Sequence, residues 1–128
     1  MNDFQTNQYP DLQSQVVAAA GFDVPLEVQW ETLAAPGESH LYAESWPQVY
    51  FEPLIQGLKT VGGDKMGLDA IKAGLKKIVI QNTTGCYYGD RWATLQDGAL
   101  TLDHEPLTNV ALVDDRTKGL VKALEAGL

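Results

Sequence analysis

The chain has 128 residues and a mass of 14.0 kDa, enough for one domain with a core of its own and no need of metal or disulfide staples. Seventeen acidic against nine basic side chains leave a formal charge of -8, which repels phosphate backbones and anionic membranes and argues against nucleic acid as a partner. The single cysteine, Cys86, can form no internal disulfide, no apolar stretch reaches membrane-spanning length, and the N-terminus lacks the basic and apolar regions of a signal peptide. A cytoplasmic protein with no membrane association is the expectation.

Residues 1–8 are polar and read as a loose arm. Pro10-Asp11 then opens a helix from Leu12 to Ala20, with Asp11 as N-cap and Gly21 as C-cap. Leu26, Val28, Trp30 and Thr32 alternate with Glu27, Gln29 and Glu31, which predicts a half-buried strand. After the turn Ala35-Pro36-Gly37-Glu38, the segment His40-Leu41-Tyr42-Ala43 is read as a short partner strand.

Ser45-Trp46-Pro47-Gln48 has the form of a capping box and predicts a helix start. Phe51, Leu54, Ile55, Leu58 and Val61 form its apolar stripe, Pro53 should kink or restart it, and Gly62-Gly63 ends it. Asp64 caps a further helix through Ala73, whose inner face is Met66 or Gly67 with Ala70 and Ile71, and Gly74 closes it. The two helices read as a hairpin that returns the chain to the end of the sheet it left, so that residues 76–82 would run antiparallel to the first strand if the two are neighbours.

Residues 76–104 read as the centre of the sheet. The β-branched run Lys76-Lys77-Ile78-Val79-Ile80-Gln81-Asn82, closed by Asn82-Thr83-Thr84-Gly85, is followed by two alternating runs, 92–96 and 99–103, separated by Asp97-Gly98. That dipeptide is a strong hairpin signal, because a type I′ turn needs φ > 0 at both central positions. Pro106 then breaks the strand and Asn109 offers an N-cap. Val113, Thr117, Leu120, Val121 and Leu124 recur at helical spacing and predict a C-terminal amphipathic helix, with Asp114, Asp115, Arg116, Lys118, Lys122 and Glu125 mostly outside its stripe.

The predicted fold is α+β: a single antiparallel sheet of four or five strands covered mainly on one face by four helices. Its core should hold Val16, Trp30, Phe51, Leu54, Leu58, Ile71, Ile78, Ile80, Leu95, Leu100, Leu120 and Leu124.

Chemistry-bearing motifs are sparse. Asp103-His104-Glu105 is the densest polar cluster, but neighbours on a strand face opposite ways, and a solvated strand end is the simpler reading. His40, His104 and Asp90 are the weak acid–base candidates. No metal-ligand spacing, phosphate loop, dinucleotide fingerprint or nucleophilic serine motif occurs, so neither metal nor cofactor is assigned. Cys86 has only Arg91 and Lys77 as cationic neighbours in sequence and reads as an incidental loop thiol.

The aromatics are more informative. Trp46, Tyr50, Tyr87, Tyr88 and Trp92, with Arg91, cluster in or beside two segments, and amphipathic aromatics on a glycine-bearing loop are residue types that anchor partners. The favoured reading is a small acidic binding protein that recognises a protein, a second copy of itself in a homodimer, or a small ligand through this aromatic loop and its acidic surface. The alternative is a small-molecule enzyme or ligand binder with a pocket between the sheet and the kinked helix, and with His40, His104, Asp90 or Arg91 at its mouth.

Overall fold

The structure, a computed structural model, describes residues 2–128. Asn2–Asn7 form helix α1 and Tyr9–Ala20 form α2. The arm expected to be loose is thus helical, and Phe4 anchors it, its ring centroid 5.0 Å from that of Trp46 and 5.8 Å from that of Trp30. One docked apolar residue in such a short stretch leaves no periodic signal. Asp11 lies inside the first turn of α2, where it accepts a hydrogen bond from Gln15 and caps nothing. Gly21 ends the helix in the left-handed conformation, φ 81°, as expected.

Strand β1 is only Leu26–Val28, and Trp30–Leu33 is a helical turn, α3. Alternation predicted a longer strand. Instead Trp30 turns inward to meet Tyr9 edge-on at 5.0 Å, and the Thr32 hydroxyl donates to the Gln29 carbonyl at 2.7 Å, closing a local turn. No partner strand forms at His40 either: Ser39–Leu41 is a 3-10 turn that leads into α4, Tyr42–Trp46. Tyr42 and Trp46, four residues apart, stack at 4.0 Å, a meeting that helical spacing brings about. Ser45 therefore lies within a helix and caps none.

From Tyr42 the chain continues as one helical rod through a π-helical segment, Pro47–Phe51, into α5, Glu52–Val61. Pro47 and Pro53 lack the N–H that an α-helix requires. The π register accommodates this: the Pro47 carbonyl accepts from the Glu52 N–H, and the Ala43 carbonyl, which an N–H at position 47 would otherwise meet, takes a bond from Gln8 Nε2 at 3.3 Å. At Pro53, where a kink or a restart was expected, the chain has just passed from the π register to the α register. Asp64 caps α6, Lys65–Gly74, as expected, accepting the Gly67 N–H at 2.7 Å. Of the two inner-face alternatives it is Gly67 that faces inward, so close to the Val61 carbonyl that a Cβ would overlap it, while Met66 is 82% exposed.

Strands β2, Lys77–Gln81, β3, Ala93–Gln96, and β4, Ala99–Asp103, join β1 in the order β1-β2-β4-β3. The sheet is mixed and not antiparallel: β1 pairs with β2, and β2 with β4, in parallel. The helical connection from β1 to β2 as a whole is a crossover, returning the chain to the end where β1 began. Only β3 and β4 form an antiparallel pair, closed as predicted by Asp97 and Gly98 at φ 53° and 83°.

Because β3 lies beyond β4, residues 82–92 must cross the carboxyl end of β4. Asp103 holds that crossing, accepting the Thr83 N–H at 2.9 Å, the Thr83 hydroxyl at 2.6 Å and Gln81 Nε2 at 3.0 Å. Helix α7, Val113–Gly127, follows, and its expected cap Asn109 lies upstream in the preceding loop with φ 55°.

Ile78, Ile80, Leu100 and Leu102 are fully buried in one cluster with Phe51, Leu54, Leu58, Leu120 and Leu124. Trp30 and Leu95, expected in the core, are only partly buried. The other sheet face presents Glu27, Val79, Thr101 and Thr94 in register. Among the described residues no helix is long and apolar enough to cross a membrane.

Candidate functional site

The aromatics singled out from the sequence divide into two groups. Trp46, Tyr50 and Trp92 are buried in the core. The polar tips of two are satisfied inside: the Tyr50 hydroxyl donates to the His104 carbonyl at 2.6 Å, and Trp92 Nε1–H donates to the Arg116 carbonyl at 2.9 Å. Burial, reinforced by the Glu105 and Asp103 carboxylates and opposed by Arg116, pushes the Tyr50 hydroxyl well above the usual phenol range.

His104 is fully buried and is not a solvated strand end. Its Nδ1 lies 2.6 Å from the Glu105 carbonyl, which assigns the proton to that nitrogen. Burial lowers its pKa, with the Arg116 charge acting the same way against the Glu105 carbonyl bond and the carboxylates of Glu105 and Asp103. For Asp103 burial acts upward, but hydrogen bonds from Thr83, Gln81 and Thr84 outweigh it and hold the carboxyl below its ordinary value. His40 stands exposed 4.0 Å from Glu38, and Asp90 is exposed on a different loop, so the acid–base candidates share no pocket. The space between the sheet and the helical rod is filled by Tyr50, Leu54, Leu58, Ile80 and Leu102. Among the described residues no three His, Cys, Asp or Glu side chains gather as a metal site.

Arg116, placed outside the helical stripe by sequence reasoning, is buried on the inner face of α7. Its guanidinium donates to the carbonyls of Asn109 at 2.7 Å, Val110 at 2.6 Å and Gln48 at 3.1 Å, tying the π segment to the loop before α7. Burial lowers its pKa against the pull of Tyr50 and Asp115. The spacing of Val113, Arg116, Leu120 and Leu124 carried the signal for its inward position.

Tyr87 and Tyr88 are the exposed pair, at 45% and 49% of their surface. Their ring centroids are 4.3 Å apart, the Tyr88 hydroxyl donates to that of Tyr87 at 3.0 Å, and the Arg91 guanidinium sits 5.4 Å from the Tyr88 ring centroid. The hydrogen bond to Tyr87, followed by its charge, raises the Tyr88 pKa. Asn109 Nδ2 holds the Tyr87 carbonyl at 2.9 Å, and the Cys86 thiol lies 3.6 Å from the Tyr88 carbonyl.

The loop rests directly on α7. Gly119 meets Gly89 so closely that a Cβ on Gly119 would overlap the Gly89 carbonyl. Between loop and helix runs a groove of about 410 Å³, lined by Tyr87, Tyr88, Leu112, Lys118 and Lys122 and by the carboxylates of Asp90 and Asp115. Leu112, 46% exposed, adds an aliphatic surface beside the tyrosines. Sequence reading missed Asn109 in this role, Leu112, Lys118, Lys122 and Gly119. A mid-helix glycine, which costs about 1 kcal/mol relative to alanine, was the one available sign of close backbone approach.

The fold is that of an α+β protein with a four-stranded mixed sheet. The chain matches no protein-family model, no curated protein and no solved structure.

Proposed function

We propose that the protein is a protein-binding module whose contact surface is the Tyr87–Tyr88 pair with Arg91 and Leu112. The observation that carries this reading is that two adjacent tyrosines stand half exposed in a fixed mutual geometry while every tryptophan packs wholly or partly into the core. Aromatic side chains already locked to one another lose little freedom on binding, and Tyr and Arg are the residue types that anchor interfaces. Arg91, Lys118 and Lys122 alternate around the pair with Asp90 and Asp115. Such a mixed rim sets the register of a partner rather than selecting it by overall charge.

The test compares immobilised wild-type protein with the Tyr87→Ala, Tyr88→Ala double variant for partners retained at low salt, alongside sedimentation of each. A protein retained by the wild type and lost from the folded variant supports the reading. A wild-type dimer that becomes a monomer in the variant identifies the partner as a second copy. Identical retention by both proteins, or none with a monomeric wild type, overturns it.

A further inference from the structure

The loop before α7 has two sides. One meets the tyrosines, and the other closes a separate groove of about 350 Å³ against α4 and the π segment. Leu41 forms one wall and Leu107, Val110 and Ala111 the other. Ser45 lines the space between, only 5% exposed, with its hydroxyl buried and unpartnered. A serine within a helix ordinarily turns its hydroxyl to solvent or back to the carbonyl four residues earlier, and this one does neither. The walls are held apart at a set distance, because Arg116 grips the carbonyls of both Gln48 and Val110 from beneath.

Charge narrows the occupant. Among the described residues Glu44 is the only ionisable side chain lining the groove, and Glu105 lies just behind its wall, accepting the Leu107 N–H at 3.0 Å. The first 58 residues of the chain contain no lysine or arginine, so the charged side chains of α4 and of the segments before it, exposed His40 apart, are carboxylates. An apolar slot with one buried hydroxyl and an acidic rim favours an apolar side chain carried on a cationic backbone segment.

We propose that this groove binds a basic segment of a partner protein. One aliphatic side chain fills the space between Leu41 and Leu107, above the buried Ser45, and flanking lysines or arginines face Glu44 and the acidic surface around α4. Different side chains line this groove and the tyrosine groove, so the site stands independently of the tyrosine reading.

The probe is a capped pentapeptide of leucine between two pairs of lysines, titrated into isotopically labelled protein and followed by amide resonances. Shifts should concentrate at Ser45, Gln48, Leu107 and Ala111. Replacing leucine by glycine, replacing the lysines by glutamates, or introducing Ala111→Arg at the exposed groove lip should each weaken binding at least about tenfold. Glu44→Gln should weaken it about threefold, and the Tyr87→Ala, Tyr88→Ala variant should bind as the wild type does. Equal binding of the glycine peptide, shifts spread over the acidic surface and indifferent to Ala111→Arg, or no shifts at millimolar peptide would each overturn the proposal.

Discussion

Tyr50 and His104, 54 residues apart in the chain, are joined in the core by a hydrogen bond of 2.6 Å from the tyrosine hydroxyl to the histidine backbone carbonyl. The bond ties the π segment to the end of β4. Tyr50→Phe keeps the ring and strands the carbonyl, so it should lower stability by about 1–2 kcal/mol in urea unfolding. A smaller loss would mean that the carbonyl finds another donor. Because the hydroxyl ionises near 10.0 when unfolded and higher when folded, its contribution is complete below that pH and is lost as the pH rises further. The alkaline limb of the wild-type stability curve should therefore be shallower in Tyr50→Phe.

The acid side should show two windows. His104 is depressed below 6.5 in the folded protein, so the unfolded chain takes up the proton first. Its contribution to stability is complete above that value and declines as the pH falls beneath it. Asp103 is depressed below 3.8, and its contribution declines only below that. Urea midpoints measured against pH should fall in both windows, with Asp103→Asn flattening the lower one. An unchanged lower limb in that variant would show that the Thr83 and Thr84 bonds do not select the carboxylate form.

Gly119→Ala places a methyl against the Gly89 carbonyl, where neither backbone can yield without the loop leaving α7. We expect a loss of about 1–3 kcal/mol by thermal unfolding, from overpacking. Amide exchange should rise around Tyr87 and Tyr88 together with it. Protection retained there would mean that Asn109 alone fixes the loop.

Arg116→Met preserves much of the volume of the side chain and removes the donors that serve the Gln48, Asn109 and Val110 carbonyls. Loss of a buried charged donor set of this kind should cost about 3 kcal/mol in denaturant unfolding. A cost under about 1 kcal/mol would indicate that water reaches those carbonyls in its place.

Features set by a few neighbouring residues were decided by the sequence itself. The Asp97-Gly98 turn, the left-handed Gly21, the Asp64 cap and the apolar stripe of α7 each depend on chemistry that acts over a single turn or ladder rung. Most of the expected core, from Val16 and Phe51 to Leu124, was legible for the same reason. The direction of β1 against β2 was not, because it depends on where the whole helical connection ends in space. The course of residues 29–46 was not either: alternation alone cannot tell a strand from a chain that turns to seat Trp30 and Trp46 around Phe4. At the candidate site the sequence determined which residue types were present, and Tyr87, Tyr88 and Arg91 could be named in advance. That Trp46, Tyr50 and Trp92 turn inward, that Arg116 is buried, and that Leu112 and Lys118 stand beside the tyrosines was decided only by the tertiary structure. Each of these depends on segments far apart in the chain packing together, α1 and α3 around Trp46 and α7 across the loop and the π segment, where burial and close contact decide which side chains turn inward.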